Sequence, residues 1–336
     1  MTTSRMTLDQ VGALARAALE GAGTSPENAA SVARSTMKAE RDGIRSHGLH
    51  YVPIYCEHVT CEKVDGRTKP VLACTRPGAI RVDARSGFAH PAIDAGWDAL
   101  TSAARKNGVA AMTIHNSYNC GVLGHHAERL AEDGLLGVCF THAPASIAPT
   151  GARAPVIGTN PFSVGVPDGK GGAIIVIDQS ASVIAKSEIM LRARTGEPIE
   201  PHWALDRQGR PTTDPALALE GSMAPAGGYK GFGIGLMVEI LAACLAGAVL
   251  SKDASPFSGT VGGPPNTGQC FIAFDPGGFS GSVFGERIRD LASAITCQKG
   301  ARLPGSRRLV NRARIERDGI RVDGDLMARI RAFASR

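Results

Sequence analysis

The sequence predicts an α/β protein whose sheet is well covered by helices, and three observations carry that expectation. Short apolar runs that read as strands alternate with segments of helical periodicity through the middle of the chain. Two helical patterns precede that alternation. The 336 residues exceed the size at which single cores usually stop growing, so two domains, or one large domain with long excursions, are expected.

The elements follow in order. Leu8, Val11, Leu14, Ala15 and Ala18 recur at helical spacing, and a second helix starts with Ser25 as its cap, Pro26 at its first position and Glu27 near the positive end of the dipole. Residues 79–83 read as a short strand, and residues 91–106 as a helix ending at Asn107-Gly108. Strands at 109–115 and 135–141 flank a helix at 123–133 that Gly134 stops. Further strands are expected at 162–166, 173–178 and 269–274, and a helix at 183–194. The polar, proline-bearing stretch 195–228 reads as a long loop, and loops of that length are usually functional or interfacial. Residues 232–250 are apolar enough to resemble a membrane span, yet Glu239 and glycines 233, 235 and 247 argue for a buried helix.

Composition excludes several classes. Hydrophobic residues at 43% and charged residues at 20% describe a globular chain, neither fibrous nor disordered. The formal charge of +6 comes from basic residues spread among acidic neighbours, so nucleic acid is not an expected partner. Only the stretch from Arg302 to Arg321 is locally basic; it reads as a solvated helix face or as a site for a small cofactor's phosphate, for which Arg307 and Arg308 are candidates. The eight cysteines show no Cys-x-x-Cys and no paired spacing of a zinc site, which fits reduced thiols in a cytoplasm and no metal. The first ten residues lack the apolar core of a secretory signal, so neither export nor membrane attachment is expected.

The chemistry concentrates at Arg45-Ser46-His47-Gly48, where a hydroxyl stands beside an imidazole among charges. Histidine titrates near neutrality, and a neighbouring serine can relay or orient its proton; a capping serine with an ordinary surface histidine is the plainer alternative. Three polar clusters also lie at ends of expected strands: His115-Asn116-Ser117, Gly158-Thr159-Asn160-Pro161 and Asp178-Gln179-Ser180. Open α/β sheets gather ligands at strand ends, so the three clusters and Ser46-His47 point to one shared pocket. Local turns are the plainer reading of each cluster alone.

A dinucleotide site of the usual kind is disfavoured. Gly231-Phe232-Gly233-Ile234-Gly235 has the wrong spacing for the G-x-G-x-x-G fingerprint, follows a loop, and is explained by close helix packing. A helix amino terminus after Gly228-Tyr229-Lys230-Gly231 can still receive a phosphate, with Lys230 as countercharge.

These residues resemble one family. Arg41-Asp42-Gly43 with Ser46-His47-Gly48, His115-Asn116-Ser117, Gly158-Thr159-Asn160-Pro161, Pro211-Thr212-Thr213-Asp214-Pro215, Gly228-Tyr229-Lys230-Gly231 and Leu303-Pro304-Gly305 are similar, in order and spacing, to the malate/L-lactate dehydrogenase family that lacks a Rossmann fold. That family includes dehydrogenases for malate, lactate, sulfolactate and ureidoglycolate, a diketogulonate reductase, and reductases of Δ1-pyrroline-2-carboxylate and Δ1-piperideine-2-carboxylate. The resemblance is closest to these cyclic-imine reductases. It implies a non-Rossmann α/β fold with residues 1–75 and 280–336 as a helical, substrate-side region and residues 76–279 as the α/β cofactor-binding region. It further implies an NAD- or NADP-dependent homodimer with its active site near the subunit contact.

Residue by residue, the resemblance implies a relay of Ser46, His47 and Glu188. It places Arg45, His50, Tyr51 and Thr159 on the substrate, a small carboxylate. The cofactor falls to His115, Asn116, Ser117, Asn119, Gly121, Asp178, Gln179, Ser180 and Lys230, with Pro304, Gly305 and Arg307 near its far end. Two positions depart from the family pattern: Tyr51 stands where relatives carry an arginine for the substrate carboxylate, and Asn119 where they commonly carry a histidine. A tyrosine cannot make the bidentate charged pair of an arginine, so Arg45 or His50 takes over, or the substrate differs. The expected activity is reduction of a cyclic 2-imino acid to proline or pipecolate. The alternatives are a 2-hydroxy-acid dehydrogenase and a nucleotide-binding protein without catalysis.

Overall fold

The computed structural model describes residues 3–336. The amino-terminal part comprises β1 (Thr3–Met6), α1 (Leu8–Gly21), α2 (Pro26–Arg41), two 3-10 turns (Arg45–His47 and Leu49–Tyr51) and α3 (Val52–Thr60). Both opening helices form where their caps lie. Thr7 and Gln10 make a reciprocal capping box on α1, and Ser25 caps α2 with Pro26 at its first position. The stripe Val11, Ala15, Ala18 is buried, as the spacing predicts.

The middle of the chain runs β2 (Val71–Arg76), β3 (Ala79–Asp83), α4 (Ala89–Asn107), β4 (Val109–Ser117), α5 (Leu123–Glu132), β5 (Leu136–Thr141), β6 (Phe162–Pro167), β7 (Ala173–Gln179) and α6 (Lys186–Thr195). Then come β8 (Ala204–Leu205), α7 (Pro215–Glu220), β9 (Ser222–Met223) and α8 (Tyr229–Glu239), which continues as a π-helical turn over Ile240–Cys244. β10 (Thr267–Phe274), α9 (Pro276–Ser280), α10 (Val283–Thr296), α11 (Ser306–Asp318), β11 (Ile320–Asp323) and α12 (Gly324–Ala334) complete it.

Seven strands form the central sheet in the order β2-β3-β4-β10-β5-β6-β7. Only β3 and β4 pair in parallel within it, joined by α4; the other neighbours are antiparallel, and β10 inserts between β4 and β5 from far along the chain. α4 lies close on the sheet because Gly96 carries no Cβ, which would otherwise stand 2.2 Å from the Met112 sulfur. Met112, Ile114 and Phe271 are fully buried beneath it, each contributing about 1.5–3 kcal/mol of apolar burial.

The chain ends meet. β1 pairs antiparallel with β11, and one core joins Val11, Leu19, Val32 and Tyr55 to Ile315, Val322 and Ile330. The stretch 195–228 is more ordered than a loop: β8 pairs with β9, and Ile199, Ala204, Ala218 and Met223 pack with Ile147, Ile157 and Ala181. The apolar run 232–250 is helical only as far as Cys244, with Glu239 buried, and it is not enclosed on all sides, since Leu236, Met237, Ile240 and Leu245 are exposed. Among the described residues no helix is long and apolar enough to cross a membrane.

Candidate active site

Strand register gathers the polar clusters on one rim. Ser117 lies opposite Thr267, Gln269 opposite Thr141, Phe140 opposite Phe162, and Phe162 opposite Gln179, so the ends of β4, β5 and β7 and the starts of β6 and β10 share one edge of the sheet. His115, Asn116 and Ser117 close β4. Asn116 adopts a left-handed backbone (φ 48°), which asparagine tolerates, and its Nδ2 donates to Asp83 at 2.9 Å. His115 is buried between Arg81 and Asp83, and Ser117 is buried with its hydroxyl unpartnered.

The Thr159 loop is pinned from below. Asn160 is fully buried at φ 36°, and its Nδ2 donates to the Gly235 carbonyl at 2.9 Å and to Glu239 at 2.8 Å. Glu239 also accepts from the Ser251 backbone at 2.7 Å, which satisfies a buried carboxylate that the apolar run made conspicuous. The Thr159 carbonyl accepts from Ala181, just past Asp178, Gln179 and Ser180.

The first 3-10 turn carries the imidazole to this rim. Its second end is Gly48, where a Cβ would stand 2.1 Å from the Glu40 carboxylate, and that carboxylate accepts from the Leu49 backbone at 2.8 Å. Arg45, Ser46 and His50 are exposed, whereas His47 is half-buried with Nδ1 shut off from solvent and unpartnered. Burial lowers the His47 pKa; the Asp178 carboxylate opposes that effect and the His125 charge adds to it. Two residues distant in sequence thus bear on this imidazole.

Glu188 lies elsewhere. Its carboxylate accepts from Arg192 one turn along α6 at 3.1 Å, and the structure does not bring it against His47. Tyr51 lies 6.1 Å from His47, ring centre to ring centre, and stacks edge-on to Tyr55 at 4.7 Å. Burial pushes its phenol up to about 12, against hydrogen bonds with Tyr118 and Asn119. The two departures from the family pattern therefore touch each other. Asn119 is oriented by the Gly121 N–H, which donates to its Oδ1 at 2.7 Å. Tyr118 in turn bonds His58 Nδ1, while His58 Nε2 donates to the Gly259 carbonyl at 2.9 Å. Buried Lys63 also donates to Gly259, and to the carbonyls of Pro256 and Val261, which holds Phe257 against Tyr118.

Sequence reasoning passed over His125 and Arg312. Asp42, buried at the end of α2, accepts from Arg312 Nε at 3.0 Å and Nη2 at 2.9 Å and from His125 Nε2 at 3.0 Å. Arg312 also donates to Glu128 at 3.1 Å. A paired His125-His126 opening α5 was the available signal, but sequence alone cannot show which histidine meets a carboxylate. Arg308, named in sequence only as a phosphate candidate, donates instead to Asp178, and its Nη1 is buried without a partner.

Two grooves adjoin this rim. A groove of about 450 Å³ is lined by Phe162, Gln179, Ser180, Ala185, Gly231 and Ile234 among others, and a second of about 270 Å³ by Arg302, Leu303, Pro304, Gly305, Ser306 and Arg307. The Pro304 carbonyl accepts from Val176 on β7, so the second groove adjoins the strand that ends at Asp178. Lys230 is exposed in the first turn of α8. Buried atoms of Ser117, His115 and Arg308 lack hydrogen-bond partners, which fits a polar ligand at this rim. Gly231 and Gly235 are packing glycines: added Cβ atoms would stand 2.1 Å from the Ala226 carbonyl oxygen and 2.7 Å from Ile157. Among the described residues no group of three or more His, Cys, Asp or Glu side chains is placed to hold a metal.

Comparison with known proteins bears on the fold and the family. A Δ1-pyrroline-2-carboxylate reductase of Ancylobacter novellus is 39% identical over 335 residues, covering 99% of this chain and 98% of the relative. A (2R)-3-sulfolactate dehydrogenase (NADP(+)) of Chromohalobacter salexigens is 41% identical over 334 residues, covering 98% of each. The crystal structure of Δ1-piperideine-2-carboxylate reductase from Pseudomonas syringae pv. tomato superposes with a TM-score of 0.92 at 35% identity, covering 98% of this chain and 99% of that one. The non-Rossmann fold expected from sequence is thereby borne out. Residues 6–331 match the malate/L-lactate dehydrogenase family, and the chain belongs to it.

Proposed function

We propose that this chain is an NAD(P)H-dependent reductase of a small cyclic 2-imino acid, converting Δ1-pyrroline-2-carboxylate or Δ1-piperideine-2-carboxylate to L-proline or L-pipecolate. The observation that carries this reading is the half-buried His47 imidazole, under the influence of Asp178, at the rim where the strand-end clusters converge. The Ancylobacter and Pseudomonas syringae relatives supply the substrate class.

The nicotinamide, when bound, supplies a hydride to C2 of the substrate. The chain's own residues do the rest. His47 delivers the proton that the substrate nitrogen must gain, and Ser46, adjacent and exposed, orients it toward the substrate. Glu188 is the relay's acidic member by resemblance, and reaching His47 requires it to leave Arg192. Thr159, set by the buried Asn160, touches the substrate. Arg45 and His50 are the charges available for its carboxylate, with Tyr51 forming the wall. Gln179, Ser180 and Lys230 hold the nearer part of the cofactor with His115, Asn116, Ser117, Asn119, Gly121 and Asp178; Pro304, Gly305 and Arg307 hold the far part.

The remaining assignments belong to the same reading. Residues 1–75 and 280–336 form the substrate-side unit and residues 76–279 the cofactor-binding unit. A second copy of the chain covers the exposed apolar face of α8, where Leu236, Met237, Ile240 and Leu245 lie. All eight cysteines are free, which suits a cytoplasmic enzyme.

A second reading, a 2-hydroxy-acid dehydrogenase, is favoured by the 41% identity to the sulfolactate dehydrogenase. Loss of reduced-nicotinamide absorbance with a panel of both substrate types separates the two. Turnover of the cyclic imines is expected; turnover of oxaloacetate, pyruvate or sulfopyruvate alone rejects the imine assignment. Cofactor binding without turnover across the panel rejects both.

A further inference from the structure

Three buried polar residues that take no part in the proposed chemistry lie beneath the Thr159 loop: Glu239 at the end of α8, Ser251 beyond it and His142 just past β5. Their hydrogen bonds run in one direction. The Gly268 N–H donates to His142 Nε2 at 2.9 Å, so the proton of the neutral ring is on Nδ1, which faces the Ser251 hydroxyl at 3.3 Å. Burial lowers the His142 pKa against the pull of the Glu239 carboxylate, and the ring is neutral at pH 7. The Ser251 hydroxyl therefore receives one proton and donates its own to Glu239 Oε2 at 2.5 Å, while the Ser251 N–H donates to Oε1 at 2.7 Å. Asn160 Nδ2 donates to the same Oε2 at 2.8 Å. Three donors converge on Glu239, which only an ionised carboxylate satisfies on both oxygens.

Asn160 transmits that anchorage to Thr159, its neighbour in the chain. Its backbone is left-handed, at φ 36°. Its Nδ2 also donates to the Gly235 carbonyl at 2.9 Å, and its Oδ1 accepts from the Ala143 N–H at 3.3 Å. The amide cannot turn over, since its oxygen would then face a carbonyl and its nitrogen an N–H. Gly158, on the other flank of Thr159, lies so close to the chain after His142 that a Cβ would stand 2.1 Å from the Ala143 carbonyl oxygen.

We propose that Glu239, with Ser251 and His142 behind it, is a positioning residue that sets Thr159 against the substrate by fixing the Asn160 amide. The inference rests on the reading of Thr159 as a substrate contact. Glu239 touches neither substrate nor cofactor and acts through Asn160.

The test uses the full-length protein and whichever substrate of the panel it turns over. Asn160→Asp keeps the shape of the side chain and sets carboxylate against carboxylate. Its kcat/KM for that substrate should fall about a hundredfold through displacement of Thr159, with the Kd for NADPH, read by fluorescence titration, unchanged. Adding Glu239→Gln to Asn160→Asp restores a donor and an acceptor across the same gap, and kcat/KM should recover about tenfold. A wild-type kcat/KM in Asn160→Asp, no recovery in the double variant, or a loss confined to NADPH affinity overturns the inference. If Asn160→Asp fails to fold, Glu239→Gln alone decides. In either orientation of its amide one donor, Asn160 Nδ2 or the Ser251 N–H, meets another donor, so the substrate KM should rise about fivefold or more. An unchanged KM overturns the inference. Thr159→Val is measured alongside. A wild-type kcat/KM there refutes Thr159 as a substrate contact, whereas a slow Thr159→Val with a fast Asn160→Asp refutes the role of Glu239 alone.

Discussion

Asp178, at the end of β7, accepts a hydrogen bond from Arg308 on α11, 130 residues away in sequence, and the same carboxylate oxygen accepts from the Gly124 backbone at 3.0 Å. The strand-end loop, the start of α5 and α11 are thereby fixed around one charge. That charge is also the one that raises the His47 pKa against burial.

Arg308→Ala should therefore damage both stability and cofactor binding. The two side chains are only 17% and 16% exposed, and removing one partner leaves the other charge uncompensated at a cost of about 3 kcal/mol. Urea denaturation reads the loss, and fluorescence titration with NADPH should show weaker binding. An unchanged urea midpoint would mean that water compensates Asp178 fully.

His47→Ala should lower turnover by about a hundredfold or more if the imidazole delivers the proton. The ring is half-buried, so folding should survive, and circular dichroism at matched concentration checks that the loss is chemical.

Asp42→Asn tests the buried ion pair by its pH dependence. Burial pushes the Asp42 carboxyl up, but hydrogen bonds from His125 and Arg312 outweigh that and hold it far below its ordinary value of 3.8. A carboxyl depressed in the folded state contributes stability that is fully present above the unfolded value and is lost as pH falls through the folded one. The variant should thus be about 3 kcal/mol less stable at neutral pH, with the gap to wild type shrinking only below about pH 4. Urea midpoints taken from neutral to acid pH measure this, and a gap that stays constant into acid would refute the assignment.

Tyr51→Arg should alter substrate preference. A guanidinium can pair with a carboxylate in two parallel hydrogen bonds, which a neutral phenol cannot, so KM for carboxylate substrates should fall by about tenfold. Steady-state kinetics on the imine panel reads it. An unchanged KM would show that Arg45 or His50 already holds the carboxylate at full strength.

Local chemistry made much of the fold legible. The helix at 91–106 and the strands at 109–115 and 135–141 were expected within a residue or two of α4, β4 and β5, because caps, glycine stops and apolar runs act over a few neighbours. The helix expected at 183–194 begins later, at Lys186, since Ser180 and Ser182 hydrogen-bond in a local turn first. The stretch 195–228 reads as a loop in sequence because its strands are two residues long and exist only through each other. β2, wholly exposed on its edge of the sheet, carries no burial pattern to read.

The sequence by itself determined the caps, the strand ends and the residue types of the rim: a Ser-His pair, polar strand-end clusters and Lys230, together with the Tyr51 and Asn119 departures. Only the tertiary structure decided that Asp42 meets His125 and Arg312, that Asp178 rather than Glu188 bears on His47, and that Tyr51 and Asn119 meet. The physical reason is range. Capping and periodicity are settled by neighbours within a turn, whereas a buried charge is settled by whichever distant side chain can reach it out of water.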